Sequence, residues 1–375
     1  MGWSWKLARI SGIEIKVHAT FPLALVWGAL MWGGGRLSGL AYGAILTIVL
    51  FSIVLLHELG HSLAARRYGI PVQDIVLLPI GGIARLSRMP EKPAEELVVA
   101  LAGPAVNLAF ILLMAPVVFF SNGASLLAGG LPSFDSLTSP SPMGFAAFLL
   151  MVNTSLLLFN LIPAFPLDGG RVLRALLAFR LSYSRATGLA ATIGRILAIV
   201  LGVYGLVTLD FFLAVVAAFI FAAAGSEAEE VTARESLKGV RIAEVLEGHS
   251  PVLTPDIPAH LAFARLARSR QPAMAIVDQD GGFLGVVSAA GMQRRWRDGV
   301  RGALSDYVDE SGVVLECSSS LEVARRQMLE KLAWVAPVYC GMEFAGLLDL
   351  ETIARVLVLR RSGKALSGIA TAVDV

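Results

Sequence analysis

The chain has 375 residues and a formal net charge of +2, and 56% of its residues are hydrophobic while only 16% are charged. Its mean hydropathy of +0.71 is too high for a soluble globular protein, so the composition predicts a membrane protein. The small net charge, without a basic run, argues against a nucleic acid partner. Cys317 and Cys340 have no C-x-x-C spacing, and we expect them to be reduced, buried thiols on the cytosolic side.

Six apolar stretches predict membrane spans, and the first of them is short for a full crossing. They lie at about 19–34, 40–65, 95–120, 144–162, 188–208 and 210–225. A short strand is expected before the first span, because residues 8–18 alternate apolar and polar side chains. The same region has no small-residue cleavage site, so we do not expect a signal peptide that is removed.

A β-hairpin is expected between the second and third spans, where Pro79, Gly81 and Gly82 separate two alternating apolar pieces. Irregular backbone at membrane depth must be covered by protein or line a wet cavity. We therefore expect this membrane-associated hairpin to dip into the protein beside the second span. The small residues and Asn107 of the AGPAVN segment in the third span suit close helix packing, and Asn153 in the fourth is interpreted as structural.

Positive charges predict the orientation of the spans. The loops on one side carry most of the cations, and those on the other side have only Arg36. By the positive-inside rule, both termini lie in the cytoplasm and the chain is a multi-pass protein of the cell membrane. The cations assigned to the cytoplasmic side are Lys6, Arg9, Arg66, Arg67, Arg85, Arg88, Lys92, Arg171, Arg174, Arg180 and Arg185.

The composition changes at about Glu227. Roughly a quarter of the residues after it are charged, against roughly a tenth before it, which predicts a soluble domain. This part contains a rough internal repeat, and each copy predicts a helix, two β runs and a closing helix. The domains expected are a transmembrane domain at 1–225, a linker at 226–236, and a soluble pair within 237–375 whose copies lie at about 240–300 and 302–362.

The motif HELGH, His57 to His61, ends the second span. On a helix, residues four apart lie one above the other, so His57 and His61 can offer their imidazoles to one metal ion. Glu58 lies at the edge of that site, where it can act as a base on water activated by the metal. The alternative is two polar histidines at the exposed end of a helix, which is less suited to the apolar flanking sequence.

A catalytic zinc ion needs a third protein ligand. Asp168 is the best candidate, because it ends the fourth span on the same side as His61 and precedes two glycines that allow a tight turn. The alternative is that Asp168 is the N-cap of a helix that starts at Gly169. The HELGH motif at the same depth favours the metal ligand.

Asn160 lies eight residues before Asp168, and its amide could donate a hydrogen bond to a carbonyl oxygen that becomes negative during hydrolysis. A packing amide is an equally good interpretation. Pro163 and Pro166 are expected to keep the following segment extended, so that it could pair with an unwound substrate. Gly81 and Gly82 of the hairpin are further candidates for substrate binding.

HELGH at the end of a span, with NLIPAFPLDGG about a hundred residues later, resembles the site-2 protease family of intramembrane zinc metalloproteases. The PIGG hairpin and the AGPAVN segment also resemble elements of that family. The resemblance implies one zinc ion on His57, His61 and Asp168, with Glu58 as the base and Asn160 steadying the transition state or the substrate. The implied reaction is hydrolysis of a peptide bond within or at the edge of a substrate's membrane helix.

The soluble repeats resemble a pair of cystathionine-β-synthase (CBS) domains. The expected fold is thus a polytopic α-helical membrane protein, with about six transmembrane helices plus a membrane-associated β-hairpin, followed by an α/β tandem CBS-domain pair. CBS domains that hold adenine nucleotides usually carry Ser or Thr followed three residues later by Asp. Here Ser288 is followed by Gly291 and Asp349 by Thr352, so neither copy keeps the pair, which argues against a bound adenine nucleotide.

Two other functions were weighed against a protease. A transporter or channel regulated by CBS domains predicts ionisable residues along several spans, whereas here they concentrate in His57, Glu58, His61 and Asp168. An inactive scaffold is the third alternative, and the intact Glu58 argues against it.

The expected partners are the lipid bilayer and a transmembrane protein substrate. The resemblance implies an anti-sigma factor, a pro-sigma factor, another membrane-tethered regulator or a signal-peptide remnant, and the sequence leaves the choice among them open. Paired CBS domains often dimerise, which favours a homodimer through this pair.

Overall fold

The computed structural model of the protein describes residues 3–32, 37–79, 81–86, 89–127, 140–246, 252–269, 273–280, 282–309 and 312–362. Arg36 and Arg88, two of the cations on which the predicted orientation depends, lie outside these residues. The chain divides into two compact units, Met1–Glu229 and Glu230–Val375.

The first unit contains a four-stranded sheet with the order β1-β2-β3-β4, in which β2 and β3 are parallel and the other neighbours antiparallel. The hairpin predicted between the second and third spans is confirmed as β3 and β4. The single strand predicted at 8–18 is wrong, because the chain reverses at Ser11 and Gly12, whose φ angles of 48° and 80° make a two-residue hairpin turn. The strands are β1 Ser4–Ile10, β2 Ile13–His18, β3 Val72–Leu78 and β4 Gly81–Leu86.

Among the residues that the structure describes, five helices are long and apolar enough to cross a membrane. They are Leu37–Arg67, Pro93–Phe120, Pro142–Asn160, Tyr183–Val207 and Phe211–Leu237. The first helix has only 12 residues, about 18 Å at about 1.5 Å per residue, and corresponds to the short first span of the sequence. The predicted polytopic helical fold is therefore confirmed, with five long apolar helices and one short one in the described residues where about six spans are expected. The helices are α1 Phe21–Trp32, α2 Leu37–Arg67, α3 Pro93–Leu127, α4 Pro142–Asn160, α5 Asp168–Ala178, α6 Tyr183–Val207 and α7 Phe211–Leu237.

A glycine allows the close approach of α2 and α3, and a serine cap begins α4. A Cβ on Gly60 of α2 would lie 2.7 Å from the carbonyl oxygen of Ala102 on α3, so only glycine allows this approach of the two helices. Helix α4 begins where Ser141 accepts a hydrogen bond from the backbone of Gly144 at 3.0 Å, with Pro142 in the first turn. Helix α3 therefore lies against α2 along the turn that carries the HELGH motif.

The second unit consists of two repeats with the same topology, as expected for a tandem CBS pair. In each repeat a short strand is parallel to the middle strand of a three-stranded sheet, and the last strand is antiparallel to it. The segment interpreted as a linker, 226–236, is helical and belongs to α7. The first repeat comprises β5 Val252–Leu253, α8 Ala259–Arg268, β6 Ala273–Val277, β7 Phe283–Ser288 and α9 Ala289–Arg297. The second comprises β8 Leu315–Glu316, α10 Leu321–Glu330, β9 Val335–Cys340, β10 Glu343–Asp349 and α11 Leu350–Arg361.

Cys317 and Cys340 form a disulfide, so the expectation of two reduced thiols is wrong. The reason lies in the register of the sheet. Strands β8 and β9 are parallel neighbours in which Glu316 pairs with Tyr339. Cys317 and Cys340 are the residues that follow this pair, so they lie side by side. The separation of 23 residues in sequence hides this neighbourhood.

Candidate metal centre

Three buried side chains from two helices converge on one point. His57 and His61 are one turn apart on α2, and Asp168 is the first residue of α5. The Nε2 atoms of the two histidines lie 3.1 Å apart, and each lies 3.1 Å from Oδ2 of Asp168. Ligands of a tetrahedral zinc ion lie about 3.3 Å apart when the bonds are about 2.0–2.1 Å. Within the described ranges, this is the one group of His, Cys, Asp and Glu side chains with the spacing to share a metal ion.

The hydrogen bond of His61 determines which of its ring nitrogens is free for a metal. Nδ1 of His61 lies 2.7 Å from the backbone oxygen of Val99 on α3. A carbonyl oxygen can only accept, so Nδ1 carries the hydrogen and donates it. The lone pair of Nε2 is then directed at the point shared with His57 and Asp168.

A chain of two buried amides determines the tautomer of His57 in the same way. Asn153 on α4 donates from Nδ2 to the carbonyl oxygen of Leu149 at 2.8 Å, and its Oδ1 accepts from Nδ2 of Asn107 at 3.0 Å. Oδ1 of Asn107 therefore accepts from Nδ1 of His57 at 2.5 Å. The carbonyl group of Leu149 can only accept, and this determines the direction of each hydrogen bond from Asn153 through Asn107 to His57. Nε2 of His57 therefore keeps its lone pair.

Gly103 on α3 provides the space in front of the two imidazoles. A Cβ there would overlap Nε2 of His61 and would lie 2.7 Å from Nε2 of His57. Gly103 and Asn107 are four residues apart and thus on the same face of α3. One face of this helix leaves room for a metal ion and also orients an imidazole, so the residues present fit a zinc ion.

Glu58 lies beside the metal-ligand triangle and under strand β4. The side chain is half-buried, next in sequence to His57. A Cβ on Gly82 would lie 2.8 Å from Cγ of Glu58, so the strand passes directly over this carboxylate. Gly81 precedes it with a φ of 144°, and a Cβ there would meet nothing within 4 Å. The structure thus brings Gly82 against the acid of the HELGH helix, and Gly81 precedes it on the same strand.

Asp168 is not the N-cap of α5. The N-cap residue is Leu167, and Asp168 is the first residue inside the helix. Its Oδ2 faces the two histidines, and its Oδ1 lies 3.9 Å from Nη1 of Arg171. The carboxylate therefore has the position of a ligand and not that of a helix cap.

The segment between α4 and α5 forms turns, so the expectation of an extended strand is wrong. Backbone hydrogen bonds close the turns from Ala164 to Ile162 at 2.7 Å and from Leu167 to Ala164 at 3.0 Å. Ala164 is fully buried, and a Cβ on Gly170 would lie 2.6 Å from its carbonyl carbon. The segment is compact because α5 packs against its backbone. Pro163 and Pro166 both lie on its exposed side.

Asn160 is the last residue of α4, and its side chain is half-buried. Among the described residues it makes no side-chain hydrogen bond, in contrast to Asn153 two turns earlier. The amide of Asn160 is thus free to bind a group that comes from outside the chain.

Asn107 and Asn153 are functional candidates that the sequence interpretation assigned to packing. Both are fully buried inside spans. An amide in an apolar span must find a partner, and the presence of HELGH on a neighbouring span was the signal that could have linked Asn107 to a histidine. Only the packing of the helices shows that the histidine bonded to Asn107 is His57.

Comparison with known proteins points to one family. The sequence pattern of peptidase family M50 matches residues 45–201. A zinc metalloprotease of Methanocaldococcus jannaschii is 30% identical over 357 residues, which cover 95% of this chain and 97% of the relative. Stage IV sporulation protein FB of Bacillus subtilis is 28% identical over 212 residues, 56% of this chain and 64% of the relative. The solved site-2 protease from Methanocaldococcus jannaschii is 35% identical, with a TM-score of 0.42 and coverage of 60% of this chain and 95% of that one.

Proposed function

This chain belongs to peptidase family M50 and is an intramembrane zinc metalloprotease, and we propose that His57, His61 and Asp168 hold one zinc ion per chain. The observation that carries the proposal is the direction of the hydrogen bonds at the two histidines. Both Nδ1 atoms carry the hydrogen and donate it to an oxygen, so both Nε2 atoms keep a lone pair. Each Nε2 atom lies 3.1 Å from Oδ2 of Asp168. When bound, zinc would act as a Lewis acid that polarises the scissile carbonyl and lowers the pKa of water, so that the water can lose a proton and attack as hydroxide.

Metal analysis of the purified full-length protein tests the ligands. We expect about one zinc ion per chain in the wild type, and less than a tenth of that in the double variant His57→Ala/His61→Ala. His260→Ala is the matched control, because His260 is exposed on α8 and should leave the zinc content unchanged. Full zinc in the double variant would overturn the ligand assignment.

Glu58 is the proposed general base, which accepts a proton from the attacking water. Glu58 suits this role because its carboxylate can accept a proton and it follows His57 directly in sequence. Its side chain is half-buried and lies against Gly82 of β4, beside the proposed metal site. Glu58→Gln should keep zinc and lower kcat by about a hundredfold or more. The control Glu229→Gln removes an exposed carboxylate from α7 and should cleave normally. Normal turnover in Glu58→Gln would refute the base role.

Asn160 is proposed to donate a hydrogen bond to the scissile carbonyl oxygen as it becomes negative. Its amide ends α4 close in sequence to Asp168 and has no partner among the described residues. Asn160→Ala should lower kcat by about ten- to a hundredfold without loss of zinc. Unchanged cleavage in this variant would make Asn160 a structural residue.

The substrate is proposed to bind as an extended strand beside β4. This strand is last in the described sheet, so one of its backbone edges is free to pair with another chain. Gly81 and Gly82 lie on this strand, and Gly82 contacts Glu58. The exposed Pro163 and Pro166 belong to the segment that leads to Asp168. A substrate helix that unwinds here would present a peptide bond to Glu58 and to the zinc ligands.

A transmembrane protein is the proposed substrate, either an anti-sigma factor, a pro-sigma factor, another membrane-tethered regulator or a signal-peptide remnant. Cells that carry Glu58→Gln in place of the wild type should accumulate the uncut substrate. Quantitative proteomics of their membranes identifies it, with Glu229→Gln cells as the reference. Accumulation of the same protein in both strains would exclude it as a substrate.

We propose that both termini and the CBS pair face the cytoplasm of the cell and that the pair forms a homodimer. The cations Arg66 and Arg67 in the last turn of α2 support this orientation. Reporter fusions after α6 and after α7 test it, and only the latter should report a cytoplasmic location. Light scattering of the detergent-solubilised chain tests the dimer.

We also propose that the CBS pair does not hold an adenine nucleotide through a ribose-binding aspartate. Ser288 and Asp349 cap α9 and α11 by accepting from the backbones of Gly291 and Thr352 at 3.0 and 2.6 Å, and no acid follows either cap three residues later. Titration calorimetry with AMP and with ATP should give no saturable heat at millimolar nucleotide. Binding in the micromolar range would contradict this proposal.

A further inference from the structure

Arg174 is a fully buried cation that the proposed chemistry does not use. It lies on α5, six residues after Asp168, and its side chain is 0% exposed. A buried guanidinium is costly unless carboxylates and hydrogen bonds compensate for its lost hydration. The side chains that contact Arg174 therefore indicate its role.

Two carboxylates from two other helices hold the guanidinium. Nε of Arg174 donates to Oε1 of Glu96 at 2.7 Å, and Nη2 lies 2.6 Å from the same oxygen. Nη1 donates to Oε1 of Glu227 at 2.6 Å. Glu96 is in the first turn of α3 and fully buried, whereas the side chain of Glu227 on α7 is 35% exposed. One side chain thus joins α5 to both α3 and α7.

Two aromatic rings enclose the same guanidinium. Its central carbon lies 4.9 Å from the ring centre of Phe165 and 4.9 Å from that of Tyr183. Phe165 belongs to the turns before α5, and Tyr183 begins α6. A planar guanidinium can bond at its edge and stack on its faces at once, which the compact ammonium group of lysine cannot do. Arg174 therefore joins α5 to α3, to α7, to the turns before α5 and to the start of α6.

The bond to Glu96 is relevant to the metal site because α3 also carries the two residues that orient the histidines. Val99 orients His61 and Asn107 orients His57, and both are on α3. Asp168, in contrast, is the first residue of α5, and Arg171, whose Nη1 lies 3.9 Å from its Oδ1, is on the same helix. The Glu96–Arg174 pair is thus a direct ionic link between the helix that orients His57 and His61 and the helix that begins with Asp168.

We propose that Arg174 is a positioning residue of the protease, which holds α5 against α3 and α7 so that Asp168 meets His57 and His61 at the spacing of one metal ion. This inference rests on the proposed ligand set. It assigns a role in metal geometry to a side chain that touches neither the ligands nor the substrate. A metal site tolerates little displacement of a ligand, since bond lengths vary by only about 0.2 Å.

The test uses the full-length protein with Glu96 and Arg174 neutralised together. Arg174→Met alone would leave a buried, unpaired Glu96 and could misfold for that reason. Arg174→Met/Glu96→Gln leaves no unpaired charge at the core of the cluster, because Glu227 is partly exposed to solvent. Arg174→Lys is the second variant, which keeps the charge without the planar fork.

Three measurements separate positioning from packing: the dissociation constant of zinc by chelator competition, the visible spectrum of the cobalt-substituted protein, and kcat with KM. In the double variant we expect about a tenfold or larger rise in the zinc dissociation constant. The cobalt spectrum should change because Asp168 is displaced, and kcat should fall while KM changes by less than about twofold. Arg174→Lys should fold and show the same changes to a smaller degree.

Arg180→Met is the matched control, because Arg180 follows α5 and is exposed to solvent, and it should match the wild type in all three measurements. A folded double variant, or an Arg174→Lys variant, with wild-type zinc affinity and cobalt spectrum would overturn the proposal. Failure of the ligand assignment has a different signature, since wild-type protein would then bind no zinc or keep it without His57 and His61.

Discussion

His57 donates the hydrogen of Nδ1 to Oδ1 of Asn107 across 2.5 Å, and both side chains are buried. The carbonyl group of Leu149, which bonds Asn153, fixes the orientation of the Asn107 amide through that second amide. The imidazole can therefore not adopt the opposite tautomer without leaving a buried amide unsatisfied. The packing of α2, α3 and α4 thus selects the tautomer of His57 whose Nε2 keeps its lone pair.

Substitution of Asn107 should weaken metal binding while the fold is kept. Asn107→Ala removes the acceptor of His57, and outer partners of this kind contribute about ten- to a hundredfold to metal affinity or activity. We expect a rise of this size in the zinc dissociation constant, measured by chelator competition. The control is Leu108→Ala, an exposed neighbour on α3. Wild-type zinc affinity in Asn107→Ala would mean that the tautomer of His57 does not depend on this bond.

Gly103→Ala should abolish zinc binding. The added methyl group would overlap Nε2 of His61 and crowd His57, and neither imidazole can retreat while its Nδ1 is bonded to α3. The matched control is Gly188→Ala on α6, where a Cβ meets nothing within 4 Å. This control should keep zinc and gain up to about 1 kcal/mol of helix stability. Metal content after dialysis checks both variants, and a full complement of zinc in Gly103→Ala would contradict the assigned geometry.

The features that the sequence predicted well are those with a local pattern. HELGH, the PIGG hairpin and the two soluble repeats each depend on residues that are close in sequence, so periodicity and turn residues identify them. The Ser11-Gly12 turn was also readable as a hairpin signal, but the alternation on both sides of it was interpreted as one strand.

The features that the sequence did not predict depend on which helices are neighbours. The sequence shows Arg174 only as one cation of a basic loop, whereas the structure buries its side chain between carboxylates that lie 78 and 53 residues away in sequence. Asn107 was interpreted as a packing residue because nothing local shows that it faces His57. A helical pattern indicates a face but not the partner of that face, so such contacts need the fold.

Asp74→Asn should destabilise the four-stranded sheet. Asp74 is 1% exposed on β3, where Lys16 of β2 donates to it at 2.7 Å and Arg85 of β4 binds it through two nitrogens. Burial alone would raise the pKa of Asp74, but the hydrogen bonds from Arg85 and Lys16 hold this pKa below its ordinary value. The loss of charge should cost about 1–3 kcal/mol, because the cations are partly exposed and regain water.

The depressed pKa of Asp74 also gives a pH dependence. A carboxylate with a lowered pKa in the folded state stabilises the fold fully above its ordinary pKa of about 3.9, and that contribution is lost as pH falls through the folded-state value. Thermal unfolding in detergent should therefore show a gap between wild type and Asp74→Asn at pH 7 that narrows below about pH 4. Glu14→Gln, at the surface beside Lys16, should have the smaller effect. An equal gap at pH 7 and in acid would show that the charge of Asp74 is not responsible.

Gly82→Ala should slow catalysis without loss of zinc. A Cβ at Gly82 would lie 2.8 Å from Cγ of Glu58 and 3.1 Å from Val54, so either β4 or the carboxylate must move. Correct placement of a general base contributes about a hundredfold or more, and a displaced base should lower kcat by about tenfold at least. Ile83→Ala is the control, because the next side chain of the strand is half exposed and faces away from Glu58. Zinc content and kcat are measured together for each variant. A fall in kcat alone assigns the effect to Glu58, whereas a fall in both would show that β4 supports the metal ligands.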